Sequence, residues 1–186
     1  MILLLLTLFI HSGWVMARNV RVIIPGGEVH MRGRLTHGAC VVSADSKDLH
    51  VDMGQYTTHG FERVGDFSEP GIPFTIRLTE CHSGLEGGVG ITFTGVTTPK
   101  EPDLFLVSAS DAYPVGVSGR DSFSGLGLLI TDQTGHKVVP GSVPALFFHP
   151  DGNDMSLHYV ARYRSTSRSV CPGSLHTEVR FDIAYP

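Results

Sequence analysis

Charge is scarce in this sequence: charged residues make up 17% of its 186 positions, short of the usual quarter, and the 14 Lys and Arg stand singly rather than in runs. With a formal net charge of −4, the chain offers no general attraction to phosphate backbones, which excludes nucleic acid as an expected partner. Also missing is any stretch with a sustained 3.6-residue apolar period, so a helical bundle is excluded. No internal repeat, low-complexity block or second composition regime divides the chain. There is no G-x-S-x-G elbow, no P-loop, no H-E-x-x-H and no G-x-G-x-x-G between a strand and a helix. Enzymatic activity is therefore not expected, and Asp103, Asp111, Asp121 and Asp132 read as capping or turn residues.

Cysteine is equally sparse, at three residues. Cys40 and Cys81 lie in strand-like segments, where a structural disulfide persists in an oxidising compartment. Cys171, beside Pro172, is either a free thiol or an intermolecular partner, and the sequence leaves that choice open. A metal reading would pair His37 with Cys40, or Cys81 with His82, but neither fragment has the repeated C-x-x-C spacing of zinc sites. No two histidines share the i, i+4 spacing of a helical metal site, so neither metal nor cofactor is expected.

What is present begins with an apolar stretch, residues 2–10, broken only by Thr7 and followed by a more polar region ending in Val15-Met16-Ala17. This pattern reads as a secretory signal peptide over residues 1–17, with cleavage leaving Arg18 as the first mature residue. No Lys or Arg precedes the apolar stretch, a departure from the usual signal pattern. A membrane span needs about 20 apolar residues, and His11, Ser12 and Gly13 interrupt this one too early. No second stretch of spanning length follows, so the mature chain is expected to carry no integral membrane segment.

Glycine and proline, 22 and 11 residues, together form about 18% of the chain, against roughly 12% in average proteins. Short alternating runs separated by Gly, Pro, Asp and Ser predict an all-β protein. Candidate strands cover residues 28–36, 39–43, 50–53, 74–80, 89–94, 127–131, 157–164 and 178–185. Their spacing suits a β-sandwich of one domain. The two ends of the mature chain are the most sharply patterned. Val29, Met31, Gly33 and Leu35 share one face, with His30, Arg32 and Arg34 on the other. Near the C-terminus, Val179, Phe181, Ile183 and Tyr185 alternate with Glu178, Arg180, Asp182 and Ala184. Periodicity alone describes both as ordinary edge strands of a closed sandwich.

A set of motifs gives these ends a more specific meaning. They are G-G-x-V-x-x-x-G at residues 26–33, V-x-M-G-Q at 51–55, P-F-x-I-x-L-x-x-C at 73–81 and V-G-I-x-F-x-G at 89–95. A Y-x-A-R-Y strand at 159–163, a penultimate tyrosine and Gly173 complete the series. In order and spacing the chain resembles the type 1 pilins of chaperone–usher fimbriae over nearly all of its mature length. Residues 51–81 and 160–168 are most similar to the minor, FimI-like pilins. Cys171-Pro172 before Gly173, and the terminal Pro186, depart from the family pattern.

The resemblance implies an incomplete immunoglobulin-like β-sandwich lacking its last strand, completed by a donor strand from a partner. It divides the chain into a signal peptide (1–17), an N-terminal donor-strand extension (18–36) and a pilin domain (37–186). It makes Val29, Met31 and Leu35 the donor anchors and Gly33 the notch between them. Val179, Phe181, Ile183 and Tyr185 would line the acceptor groove, with Gly173 keeping its initiating pocket open. It also pairs Cys40 with Cys81. The implied partners are a periplasmic pilus chaperone, an outer-membrane usher and neighbouring pilin subunits, and the destination is the cell-surface fimbrium. The implied role is that of a minor structural subunit that extends, anchors or terminates a fibre contributing to cell adhesion. The alternatives weighed against it are a carbohydrate-binding tip adhesin and a secreted β-sandwich enzyme. The adhesin would need a lectin domain ahead of Cys40, where the short arm leaves no room for one.

Overall fold

Alternation of apolar and polar side chains places strands through most of the chain. The structure, a computed structural model, describes residues 28, 30–32, 40–82, 84–110 and 122–186. The chain falls into two units, Met1–Leu35 and Thr36–Pro186. In the first, Met31 is exposed, and residues 28 and 30–32 have no regular secondary structure. Val29, Gly33 and Leu35 lie outside the described residues, as do the signal sequence expected at 1–17, His37, Asp111 and Asp121.

Among its described residues the second unit shows eight strands: β1 (Val41–Val42), β2 (Ile72–Thr79), β3 (Gly90–Gly95), β4 (Phe105–Ser110), β5 (Ser122–Asp132), β6 (Met155–Ser165), β7 (Ser174–His176) and β8 (Val179–Ala184). Six form an antiparallel sheet in the order β1-β2-β6-β5-β4-β7, while β3 and β8 pair separately. Period-two burial explains the facing surfaces. Leu157, Tyr159, Ala161 and Tyr163 of β6 are buried on one face, as are Phe105, Val107 and Ala109 of β4. Ile91 and Phe93 of β3 close the core from the second sheet, against Ile76, Leu78, Leu126 and Leu128. The register between β4 and β5 shifts between Leu106 and Ser108, and the fully buried Ser124 repairs the ladder there. Its hydroxyl donates to the Val107 carbonyl at 2.6 Å and accepts from the Leu126 amide at 3.1 Å.

This is the all-β sandwich expected from the alternation, with corrections in detail. Residues 50–53, expected as a strand, are irregular. The Asp52 carboxylate accepts the Gly54 amide at 2.9 Å, a local turn that competes with a ladder. The same connection holds two short 3-10 helices, Ala44–Ser46 and Thr58–Gly60. β4 and β7 were not anticipated. The strand expected at 39–43 shrinks to two residues, paired as Val41↔Thr79 and Val42↔Leu78.

Candidate functional site

Only Thr177 and Glu178 separate β7 from β8, so the chain passes from the large sheet to the small one within two residues. The Thr177 hydroxyl donates to the Leu106 carbonyl at 2.6 Å and pins that crossing. β8 then pairs with β3 from Val179↔Gly95 to Ala184↔Gly90. Among the described residues, no strand lies along its other edge. The sandwich is therefore immunoglobulin-like but incomplete, its second sheet lacking the strand that would close it.

A groove of about 1900 Å³ runs along this free edge. One wall is the stretch 170–182, which includes the start of β8, and the other is the irregular stretch 47–58. Its floor is core: Ile76, Leu126, Leu128, Ile130, Ala161 and Tyr163. Aromatic rings line both flanks. Phe93 is tilted against Phe181 at 6.3 Å and edge-on to Phe74 at 6.4 Å. Across the groove, Tyr56 meets Tyr163 edge-on at 5.8 Å and Phe61 at 6.4 Å. Burial, with the neighbouring Tyr56 and Asp52, pushes the Tyr163 phenol up to about 12, so it stays neutral at physiological pH. The rim carries charge of both signs: Lys47, Asp48 and Asp52 on one side, Glu178, Arg180 and Asp182 on the other.

The expected acceptor residues divide into two sets. Gly173, Val179 and Phe181 line the groove. Ile183 lies opposite Ile91 and packs into the core. The Tyr185 hydroxyl accepts a hydrogen bond from the Cys40 amide at 2.8 Å, and neither Ile183 nor Tyr185 is part of the groove lining. Gly173 has φ of 150°, a conformation that side chains strongly disfavour, so its backbone supplies a reason for glycine apart from any pocket. Cys40 and Cys81 form a disulfide that closes a 41-residue separation. Cys171 is a free, half-buried thiol on the groove wall, and its amide donates to the Ser124 carbonyl at 2.9 Å. The wall at 47–58 escaped sequence reasoning. Residues 50–53 carry enough alternation to read as a strand, but the segment is irregular and brings Met53 and Tyr56 to the groove as a turn-built wall, a role that no period records.

Among the described residues, no group of three or more His, Cys, Asp or Glu could hold a metal ion. What the arrangement offers chemically is recognition. A free ladder edge beside a groove floored by apolar core side chains suits an extended chain that supplies backbone partners along its length and a side chain at every second position.

A family model of fimbrial proteins matches residues 29–186. The chain belongs to that family of fibre-forming surface subunits. It is 37% identical over 165 residues to the fimbrin-like protein FimI of Salmonella typhi, spanning 89% of this chain and 88% of that protein. With fimbrial subunit type 1 of Salmonella typhimurium it shares 28% identity over 180 residues, or 96% and 92% of the two chains. Its fold is similar to the P pilus rod subunit PapA, with a TM-score of 0.63 at 22% identity over 79% of this chain and 99% of PapA. A chain from a chaperone–usher pilus structure matches with a TM-score of 0.60 at 21% identity, covering 90% and 100%.

Proposed function

We propose that this protein is a minor structural subunit of a chaperone–usher, type 1-like fimbria, joined to its neighbours by donor-strand exchange. One observation carries this reading: the outer edge of β8 opens onto a groove floored by core side chains. Left empty, such an edge invites aggregation. A donated strand completes the ladder and fills the alternating pockets, and each large anchor contributes about 1.5–3 kcal/mol on burial before ordering costs.

In this reading the chain enters the periplasm by a signal peptide at 1–17. A pilus chaperone covers the groove there, and an outer-membrane usher hands the subunit to the growing surface fibre. Residues 18–36 are the donor extension, with Val29, Met31 and Leu35 as anchors and Gly33 as the notch, and 37–186 is the acceptor domain. Val179 and Phe181 receive the donor along the wall that Gly173 begins. The fibre contributes to cell adhesion mechanically, and the chain acts by binding rather than catalysis. Membership of the fimbrial family and the likeness to pilus subunits support this over a tip adhesin or an enzyme.

The test is to isolate the protein from the periplasm with whatever co-purifies, then expose the complex to a synthetic peptide of residues 28–36. Recovery of a chaperone, and its displacement by the peptide, is the expected result. A monomeric, cooperatively folding domain that needs no chaperone and ignores the peptide overturns the reading.

A further inference from the structure

The last two residues are held at two points distant in sequence. The Tyr185 hydroxyl accepts the Cys40 amide at 2.8 Å, across 145 positions. Pro186 sits over Gly87, where a Cβ would lie 2.1 Å from the proline Cγ, so only glycine leaves room for it. Cys40 is buried in the core cluster, and its one covalent cross-link is the disulfide to Cys81. The strand that follows Cys40, β1, has just two residues and two register pairs, a short ladder. Cys81, by contrast, follows the eight-residue β2, and its amide donates to the Asn153 carbonyl at 2.8 Å. A physical path thus runs from β2 through the disulfide to Cys40, from its amide to Tyr185, and so to the end of β8, the strand whose free edge faces the groove.

From this geometry we propose that Tyr185 is a positioning residue that couples the redox state of the Cys40–Cys81 disulfide to the groove-facing strand β8. With the disulfide formed, Cys40 presents its amide at a fixed place and the phenol oxygen docks on it. Reduction adds two electrons and two protons to the disulfide, taken from a dithiol that closes to its own disulfide. Cys40 then loses its covalent tie and keeps only the short β1 ladder and its packing in the core, so its amide is less firmly fixed and the C-terminal end of β8 loosens. Tyr185 belongs to the machinery that sets the groove, although its ring does not line it. The consequence for strand capture rests on the donor-strand reading above; the coupling itself does not.

The test compares the full mature chain and its Tyr185→Phe variant, each oxidised and reduced with dithiothreitol, by amide hydrogen exchange. Phenylalanine keeps the ring and removes the acceptor. Loss of one net hydrogen bond predicts roughly three- to ten-fold faster exchange at Cys40 and at residues 181–185 in the oxidised variant. Exchange in the centres of β5 and β6 stays unchanged, which a general loss of stability would not allow. Reduction of the wild type speeds the same β8 amides, and reduction of the variant adds little more, since the link is already cut. Independent, multiplying effects, or a variant whose β8 exchanges as slowly as wild type, overturn the coupling. If the variant does not fold, Gly87→Ala, which displaces Pro186 from the same C-terminal pair, enters the same comparison with the same expectation. Capture of a synthetic peptide of residues 28–36 is measured in parallel and weakens by a similar factor in the oxidised variant. A wild type that fails to capture the peptide refutes the donor-strand reading, while the exchange data, collected without peptide, still decide the coupling.

Discussion

Phe181 of β8 stands opposite Phe93 of β3, with ring centroids 6.3 Å apart and planes inclined by 50°. Phe93 in turn meets Tyr159 edge-on at 5.0 Å, so the free-edged strand is anchored to the centre of the core through aromatic contacts. The half-buried Phe181 has one side on this cluster and lines the groove. Phe181→Ala is therefore expected to cost about 2 kcal/mol in the unliganded domain, less than a fully buried phenylalanine. Capture of the 28–36 peptide falls as well. Urea unfolding and a peptide titration measure the two losses, and a variant changed in neither would show that Phe181 belongs to neither core nor groove.

Removal of the Cys40–Cys81 disulfide by Cys40→Ser frees a loop spanning a 41-residue separation. The chain-entropy account puts the loss at roughly 4 kcal/mol. Cys171→Ser leaves the disulfide intact, and peptide mapping of the wild type is expected to link Cys40 only to Cys81.

Asp132 supplies an acid-sensitive element at the end of β5. Burial raises its pKa, but hydrogen bonds from the Thr134 hydroxyl and from the Thr134 and His136 amides outweigh this and hold it below the usual carboxylate range. A carboxylate depressed in the folded state stabilises fully above its unfolded pKa of about 3.9, and that stabilisation is lost as pH falls through the folded value. Asp132→Asn is expected to lower stability at neutral pH, with the gap to wild type closing below about pH 4. Denaturation curves across that range measure it, and a gap that stays constant would contradict the assignment.

At Gly173 two explanations for glycine make different predictions. The backbone φ of 150° penalises any side chain whether or not a donor is present. Gly173→Ala is thus expected to destabilise the empty domain by about 1–3 kcal/mol. If it also slows peptide entry beyond what that loss explains, the residue guards an initiating pocket in addition. Unfolding of the empty domain and the rate of peptide capture separate the two.

The export proposed for this chain predicts a mature N-terminus at Arg18. Mass spectrometry of protein recovered from the periplasm is expected to find the chain cut after Ala17, and an intact Met1 there would refute the cleavage site.

Alternation within single segments was legible because burial on one face of a strand leaves a local, period-two trace. Val179, Phe181 and Ile183 carried that trace and lie on β8, and so did the strands β2, β3, β5 and β6. The order of motifs along the chain was enough to identify the family. Three features were not readable. β4 has a proper alternation in Phe105, Val107 and Ala109, yet its polar face consists of small, weakly patterned residues, Leu106 apart. β7 has three residues, too short for any period. The groove wall at 47–58 is irregular, held by turns such as Asp52 on Gly54.

Tyr185 shows the limit most clearly. Its place in the alternating series put it with Val179, Phe181 and Ile183, whereas in the fold its hydroxyl meets the Cys40 amide. The strand character of β2, β3, β5, β6 and β8 and the family could be read from the chain, since these depend on neighbours along it or on motif order. Which residues share the groove, and where the C-terminus docks, were decided only by the tertiary structure. Such contacts join positions up to 145 residues apart, and no local period records a partner that folding alone brings near.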